Sequence, residues 1–197
     1  MRRLRWLSLG ICGVAALAHA HAVKPDRELL LQLDAGGGAE LWRLQIGGEA
    51  AAATLAAANL DRQATLSPAA RVAVALSLLA RARKGVSLRF DEAPLAQADL
   101  KPKLDASGNA LVALGLVELL LPAAGRCGPH RLEVALDARA APLGVEVRAQ
   151  DGWTVAGVEL NGVAAGGAAV VLARKDRLEV RVVGACAASP AGTPPKP

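Results

Sequence analysis

Two segments near the start of the chain alternate apolar and polar side chains with the period of two that is typical of β-strands. Residues 27–34 (RELLLQLD) have strand character. Residues 39–47 (AELWRLQIG) place three apolar side chains, Leu41, Leu44 and Ile46, among polar neighbours. Because the three glycines between the segments favour a turn, the pattern predicts a β-hairpin.

The period then changes to that of an α-helix. Residues 48–59 are rich in alanine, which favours a short helix. A second helix is predicted to begin after Ser67, a natural N-cap, with Pro68 in its first position, and to end at Gly85. The side chains predicted to form its apolar face recur at helical spacing, and they are Val72, Leu76, Leu79 and Ala82.

The remainder of the chain consists of short segments with strand character, separated by turn residues. The longest apolar run, residues 110–122, predicts a buried strand, with Gly115 as a candidate position for a bulge. This spacing predicts a mainly β protein, an antiparallel β-sandwich with an inserted helix-loop-helix at residues 49–84. The predicted strands lie at residues 86–95, 110–122, 130–137, 143–150, 153–162, 168–173 and 176–184.

The first 22 residues have the composition of a secretory signal peptide. MRRLRW supplies the positive charges, LSLGICGVAALA the apolar segment, and AHA at residues 18–20 the cleavage pattern. A second AHA at residues 20–22 leaves two cleavage positions open, before His21 and before Val23. We therefore expect a soluble exported protein, periplasmic or secreted.

The mature chain is expected to have a single β-rich domain at residues 21–186. The tail at residues 187–197 is rich in proline and small residues and is expected to be disordered. The run at residues 110–122 contains Gly115 and Glu118 and is short for a membrane span, so no transmembrane segment is expected in the mature chain.

Export would also determine which cysteines the mature chain keeps. Cys12 would leave with the signal peptide, and the mature chain would keep Cys127 and Cys186. An even pair in an oxidising compartment predicts one disulfide, which would close a loop of about 60 residues. The alternative is two unpaired thiols.

Charge and aromatic content argue against a nucleic-acid partner. The formal net charge is +5, but Arg2, Arg3 and Arg5 lie in the segment expected to be removed, which leaves about +2. Tyrosine is absent and there is one phenylalanine, so the chain offers few rings for stacking on bases. This charge is too small for a phosphate-binding surface.

The stretch before the second helix resembles a 12-residue calcium loop, in which oxygen ligands alternate. Asn59, Asp61 and Gln63 occupy the first three ligand positions. Ala64 stands where the turn needs glycine, and Ala70 stands where the bidentate glutamate belongs. Since one carboxylate remains among these positions, we expect the loop to be degenerate and not to bind calcium.

The mature N-terminus is a second candidate metal site. Cleavage before His21 would place a free amine and an imidazole on one residue, a candidate copper or zinc chelate. His130 is the other histidine of the mature chain and is expected at the start of a strand.

The common sequence signatures of catalysis are missing. The chain has no G-x-S-x-G, no H-E-x-x-H and no P-loop, and the carboxylates Asp91 and Glu92 are interpreted as solvated turn residues. We therefore predict no catalytic residues and no cofactor.

The stretches LDRQATLSPAA and GVSLRFDEAPL, within residues 57–95, resemble two stretches of a known family, written LDRDGRLSPAE and G-L-x-L-x-x-D-G-x-P-L. The family is the extracytoplasmic region of the hydrogenase/urease accessory membrane proteins and related exported bacterial proteins, whose signal also ends in AHAHA. In such relatives the loop is often calcium-competent, and this sequence departs from them at Gln63, Ala64 and Ala70.

The resemblance implies a place in the cell envelope, beside a membrane transport or metal-handling system. We accordingly predict an exported, non-catalytic binding or accessory protein with an envelope or membrane-protein partner. The alternatives are a periplasmic metal-binding protein that uses His21 and, third, an envelope enzyme. The sequence leaves the oligomeric state open.

Overall fold

The computed structural model describes residues 25–35, 37–60, 66–106, 109–121 and 127–185. Within these ranges the chain forms two sheets and two helices, which confirms the predicted mainly β fold, a β-sandwich with inserted helices. In chain order the elements are β1 (Arg27–Asp34), β2 (Gly37–Gly47), α1 (Gly48–Ala57), α2 (Pro68–Arg83), β3 (Val86–Phe90), β4 (Ala93–Pro94), β5 (Ala96–Gln97), β6 (Lys101–Asp105), β7 (Ala110–Leu120), β8 (Gly128–Leu136), β9 (Leu143–Ala149), β10 (Trp153–Leu160), β11 (Val163–Ala164), β12 (Ala169–Leu172) and β13 (Arg177–Gly184).

Sheet A contains seven strands in the order β12-β9-β1-β2-β7, and both β5 and β6 pair with the far side of β7. Sheet B contains six strands in the order β11-β10-β13-β8-β3-β4. The predicted hairpin of β1 and β2 is confirmed. One pair departs from the antiparallel prediction, because β1 and β9 run parallel, with Glu28 opposite Gly144. This pairing places the first strand beside a strand that lies more than 100 residues later in the chain.

The inner faces of the sheets follow the alternation of the strands. In β2 the inward side chains include Trp42 and Leu44, whereas Leu41 points outward. Residues three apart in a regular strand lie on opposite faces. Glu40 is also inward and fully buried, and its carboxylate Oε2 accepts a hydrogen bond from Trp42 Nε1 at 2.7 Å.

Helix α2 packs against β2, β6 and β7 on the inner face of sheet A. Gly115 of β7 makes this approach possible, because a Cβ atom there would lie 2.9 Å from Leu79 Cδ1. The register of β7 with β2 is unbroken through Gly115, so the bulge considered at this position is not present. A register shift lies instead in β10, between Val155 and Gly157.

The buried face of α2 is rotated from the predicted one. Leu79 and Ala82 are buried as predicted, but Val72 and Leu76 are 45% and 42% exposed. The other buried side chains of the helix are Val74, Ala75 and Leu78. Because apolar residues surround most of α2, more than one helical stripe fits its sequence. Neither helix of the described ranges combines the length and apolar character needed to cross a membrane.

A buried arginine joins the start of β1 to the end of α2. The guanidinium of Arg27 donates hydrogen bonds to the carbonyl oxygens of Ala82 at 3.1 Å, of Lys84 at 3.0 Å and of Ala141. The last carbonyls of a helix lack hydrogen-bond partners within the helix and attract positive charge. Arg27 supplies both the hydrogen-bond donors and the positive charge. Burial lowers the pKa of Arg27 below its ordinary value, yet a guanidinium remains charged in proteins.

Replacement of Ser67 by alanine should lower the free energy of unfolding by about 1 kcal/mol. Ser67 Oγ accepts a hydrogen bond from the N–H of Ala70 at 3.2 Å, and Pro68 begins the helix as predicted. Urea denaturation measures the change. Ser77→Ala, at an exposed position within the same helix, is the matched control and should not destabilise, because alanine has the higher helix propensity. Equal losses in both variants would contradict the capping role.

Candidate functional site

The outer face of sheet A carries a row of leucines. Leu116 of β7 is opposite Leu41 of β2, and Leu41 is opposite Leu30 of β1. Since directly opposed side chains have Cβ atoms about 5 Å apart, the three leucines form a continuous apolar strip across three strands. Leu41 and Leu116 are 37% and 39% exposed, whereas Leu29 and Leu31 of the inner face are buried. The strip is therefore apolar surface in contact with solvent.

A groove of about 470 Å³ runs beside this strip from β7 to β12. Gly144 forms part of its floor, and a Cβ atom there would lie 2.8 Å from Pro25 Cγ. The missing side chain thus lets Pro25 lie against the sheet. The volume falls within the range of about 300–1,000 Å³ that is usual for small-molecule sites. We call this surface the outer groove, and its aliphatic lining includes Pro25, Leu30, Leu41, Leu114, Ala169 and Val171.

The charged side chains that line the outer groove are paired. Arg43 Nη1 donates to Glu28 Oε2 at 3.0 Å. Arg148 Nε donates to Glu146 Oε1 at 2.7 Å, just outside the lining. Each carboxylate of the lining thus has a guanidinium beside it. The groove therefore presents compensated charges along an aliphatic surface.

Two lysines and two carboxylates lie on the outer face at the β7 end of the outer groove, and they are Lys101, Lys103, Asp105 and Glu118. Lys103 of β6 is opposite the groove residue Leu114 and is exposed, and no described carboxylate forms an ion pair with it. Its neighbour Lys101 is paired, since Lys101 Nζ lies 2.7 Å from Glu118 Oε1. This hydrogen bond and the accompanying Coulomb attraction lower the pKa of Glu118 and raise the pKa of Lys101. Lys103 is the lysine at this end that is left for a ligand.

Sheet B has an outer face of the opposite character. Charged side chains of alternate sign occupy its outward positions and form ion pairs between neighbouring strands. The pairs are Arg131–Glu179, Arg177–Glu133 and Arg181–Glu159. The same fold thus covers one sheet with a charged surface and leaves the other with leucines. Contiguous apolar surface on a folded domain commonly marks a site of interaction.

The sequence contained a signal for this surface. A strand with one solvated face alternates apolar and polar residues, whereas residues 110–120 are apolar on both faces except at Glu118. This pattern led to the prediction of a buried strand, which holds for the inner positions only. An apolar outer face in an antiparallel sheet makes this surface a candidate for interaction.

A second cluster of functional side chains lies at one end of sheet B. His130 Nδ1 lies 2.6 Å from Asp91 Oδ2, and the N–H of Arg131 donates to Asp91 Oδ1 at 2.9 Å. Asp91 follows β3 with a φ of 47°. Asp91 is an exposed turn residue, as predicted, and these hydrogen bonds in addition hold the turn against β8. The partners are 39 residues apart, and no local pattern connects them.

Aromatic rings enclose the imidazole of His130. Its centroid lies 5.1 Å from that of Phe90 and 5.5 Å from that of Trp153. The side chain is 10% exposed, and Nε2 is buried with no hydrogen-bond partner among the described residues. A general base must reach the proton that it removes. Because Nε2 is closed off from solvent, the geometry favours a structural role in joining β3, β8 and β10.

The predicted metal ligands are only partly visible. Asn59 lies in the turn after α1 with a φ of 54°, and its N–H donates to the carbonyl of Ala56 at 2.9 Å. Asp61, Gln63 and His21 lie outside the described residues. In the described part of the chain, no three His, Cys, Asp or Glu side chains lie close enough together to hold a metal ion. The degenerate calcium loop and the His21 site both stay predictions.

The predicted disulfide is likewise described on one side. Cys127 directly precedes β8 and takes part in a disulfide, whereas Cys186 lies outside the described residues. Gly128 is opposite Gly184 in the pairing of β8 with β13, and each cysteine is within two residues of one of these glycines. The register is compatible with the Cys127–Cys186 pairing, which stays a prediction.

Comparison with known proteins assigns no family. No family model matches this chain, and no curated protein is significantly similar to it. The resemblance to the hydrogenase/urease accessory family therefore stays a prediction.

Proposed function

We propose that the chain is an exported, non-catalytic binding protein of the cell envelope and that it binds an apolar ligand in the outer groove. The observation that carries the proposal is the leucine strip beside a groove with compensated charges, in which Leu41 and Leu116 are exposed and Leu30 is half-buried. Apolar area removed from water contributes roughly 25 cal/mol per Å², so covering this face would be favourable.

Export rests on the signal-peptide pattern of residues 1–22. Intact-mass measurement of the protein from a secreting bacterial host should show the loss of residues 1–20 or 1–22. Retention of the first 18 residues would contradict export by this route. A place beside a membrane transport or metal-handling system rests on the resemblance alone.

The two alternative functions have less support from the geometry. An enzyme would need a reactive group that a substrate can reach, and the buried Nε2 of His130 does not meet this need. Metal binding depends on His21 and is tested by elemental analysis of the purified mature protein. Stoichiometric copper or zinc would favour that alternative.

Replacement of Leu41 by glutamate should weaken the binding of an apolar fluorescent probe, such as an anilinonaphthalene sulfonate, by about a hundredfold. The introduced carboxylate would have to give up water beneath the bound probe. Fluorescence titration of the folded, processed protein measures the dissociation constant. Circular dichroism of each variant establishes that the β-structure is retained.

Val163→Glu is the matched control for this experiment. Val163 is 69% exposed on the short strand β11 of sheet B and does not line the outer groove. The control should bind the probe as the unaltered protein does. Equal binding by the Leu41 variant, or no binding by the unaltered protein, would overturn the proposed function.

A further inference from the structure

The floor of the outer groove offers no free backbone groups to a ligand over its four interior strands, and the groove ends at the edge strand β12. Its strands β7, β2, β1 and β9 are interior strands of sheet A, and each is paired on both sides. Their backbone N–H and C=O groups are therefore engaged in the sheet. An extended peptide lying on this floor would bury its own backbone groups without partners, at a cost of about 1–3 kcal/mol for each group. The floor suits a ligand that has no polar groups along its buried length.

The walls of the groove select an aliphatic ligand. The lining contains leucine, valine, alanine and proline, while the described aromatic side chains are elsewhere. Trp42 is in the core, and Phe90 and Trp153 surround His130. A site for planar rings would be expected to use aromatic side chains, which stack on rings with favourable geometry. A flexible hydrocarbon chain needs only aliphatic contacts.

The length of the groove is that of an acyl chain. It runs across five strands, from Leu114 on β7 to Val171 on β12. Four spacings of about 4.8 Å give a length of about 19 Å. The acyl chains of one membrane leaflet extend about 15 Å, half of the hydrocarbon thickness of a bilayer. One chain of this kind fits along the groove.

The charges define the head of the ligand. Glu28 is paired with Arg43 and Glu146 with Arg148, so the middle of the groove favours an uncharged segment. Lys103, beside Leu114 at the β7 end, can attract an anion. We propose that the outer groove binds a long-chain fatty acid, with the hydrocarbon along the leucine strip and the carboxylate near Lys103.

This inference rests on the proposed function, because it names the ligand of the same groove. The test is the displacement of the fluorescent probe by straight-chain fatty acids of increasing length, each kept below its micelle concentration. Each added pair of methylene groups should tighten binding by about tenfold until the groove is filled. The corresponding alcohols should show the same dependence on length.

Variants distinguish the binding of the carboxylate from the binding of the hydrocarbon. Lys103→Gln keeps a polar side chain of similar shape and should weaken fatty acids by about threefold while leaving the alcohols unchanged. Lys175→Gln, in the turn before β13 of sheet B, is the matched control and should change neither. Leu41→Glu should weaken acids and alcohols alike.

The possible outcomes separate the inference from the proposed function. If the probe binds in the groove but fatty acids do not displace it, or displace it without dependence on length, the fatty-acid inference is overturned and the binding function stands. Displacement by an apolar helical peptide alone would have the same meaning, since a helix satisfies its own backbone groups. If the probe itself does not bind, the proposed function fails as well.

Discussion

Replacement of Trp42 by alanine is expected to lower the free energy of unfolding by about 5 kcal/mol, the largest effect of any single substitution considered for this chain. Trp42 is 1% exposed, and it lies opposite Leu29 on one side and Gly115 on the other, beneath helix α2. Truncation removes the apolar contacts of the largest core side chain and leaves a cavity. It also removes the Nε1 donor from the buried carboxylate of Glu40.

Urea denaturation followed by circular dichroism measures this loss. A cost of 5 kcal/mol is a large share of the stability of an ordinary domain, so the alanine variant could be unfolded. Trp42→Phe keeps most of the apolar volume and should cost about 2 kcal/mol, chiefly because Glu40 loses a donor. The neighbouring Leu41→Ala is the control, since Leu41 points outward and should cost less than 1 kcal/mol. Similar losses for Leu41→Ala and Trp42→Ala would contradict the assigned faces of β2.

The local signals predicted the elements well where they were repeated along a segment. The hairpin of β1 and β2 and the Ser67–Pro68 start of α2 follow from alternation, turn glycines and capping chemistry. Strand β6, with the sequence KPKLD, was not predicted, because two lysines and a proline disfavour a strand. It forms because its Leu104 is buried and its backbone pairs with β7.

Features that depend on contacts between distant residues could not be predicted from the sequence. The parallel pairing of β1 with β9 joins segments more than a hundred residues apart, and no periodicity encodes a partner strand. Arg27 contacts the end of α2, and Asp91 contacts His130. Both contacts also join residues that are far apart in the sequence. Each of these side chains has an ordinary polar identity in the sequence, and its role comes from the fold.

The candidate site also combines a local feature that the sequence shows with an arrangement that only the fold supplies. The apolar character of residues 110–120 was visible, but its outer half acquires meaning only when Leu116, Leu41 and Leu30 are placed side by side. The contrasting ion pairs of sheet B show that this fold readily carries a charged outer face. The leucines of sheet A are therefore a property of that sheet, and the proposed function rests on them.

Loss of the disulfide is the second large effect that we expect. Replacement of Cys186 by alanine should lower the free energy of unfolding by about 4 kcal/mol, because a crosslink between Cys127 and Cys186 restricts a loop of about 60 residues in the unfolded chain. Cys127 takes part in a disulfide, and the adjacent Gly128 is opposite Gly184 at the end of β13. Urea denaturation of the processed protein, with and without dithiothreitol, measures the difference.

The matched variants identify the partner of Cys127. Cys127→Ala and Cys186→Ala should have equal effects, and dithiothreitol should add nothing to either, because each removes the same crosslink. Cys12→Ala should be without effect in the processed protein, since Cys12 lies in the segment expected to be removed. A stability loss in the Cys12 variant, together with an unchanged Cys186 variant, would assign the partner to Cys12 and contradict removal of the first 20 residues. Because the predicted crosslink would tie β8 to the segment after β13 and both strands belong to sheet B, its loss should leave fatty-acid binding by the folded protein unchanged.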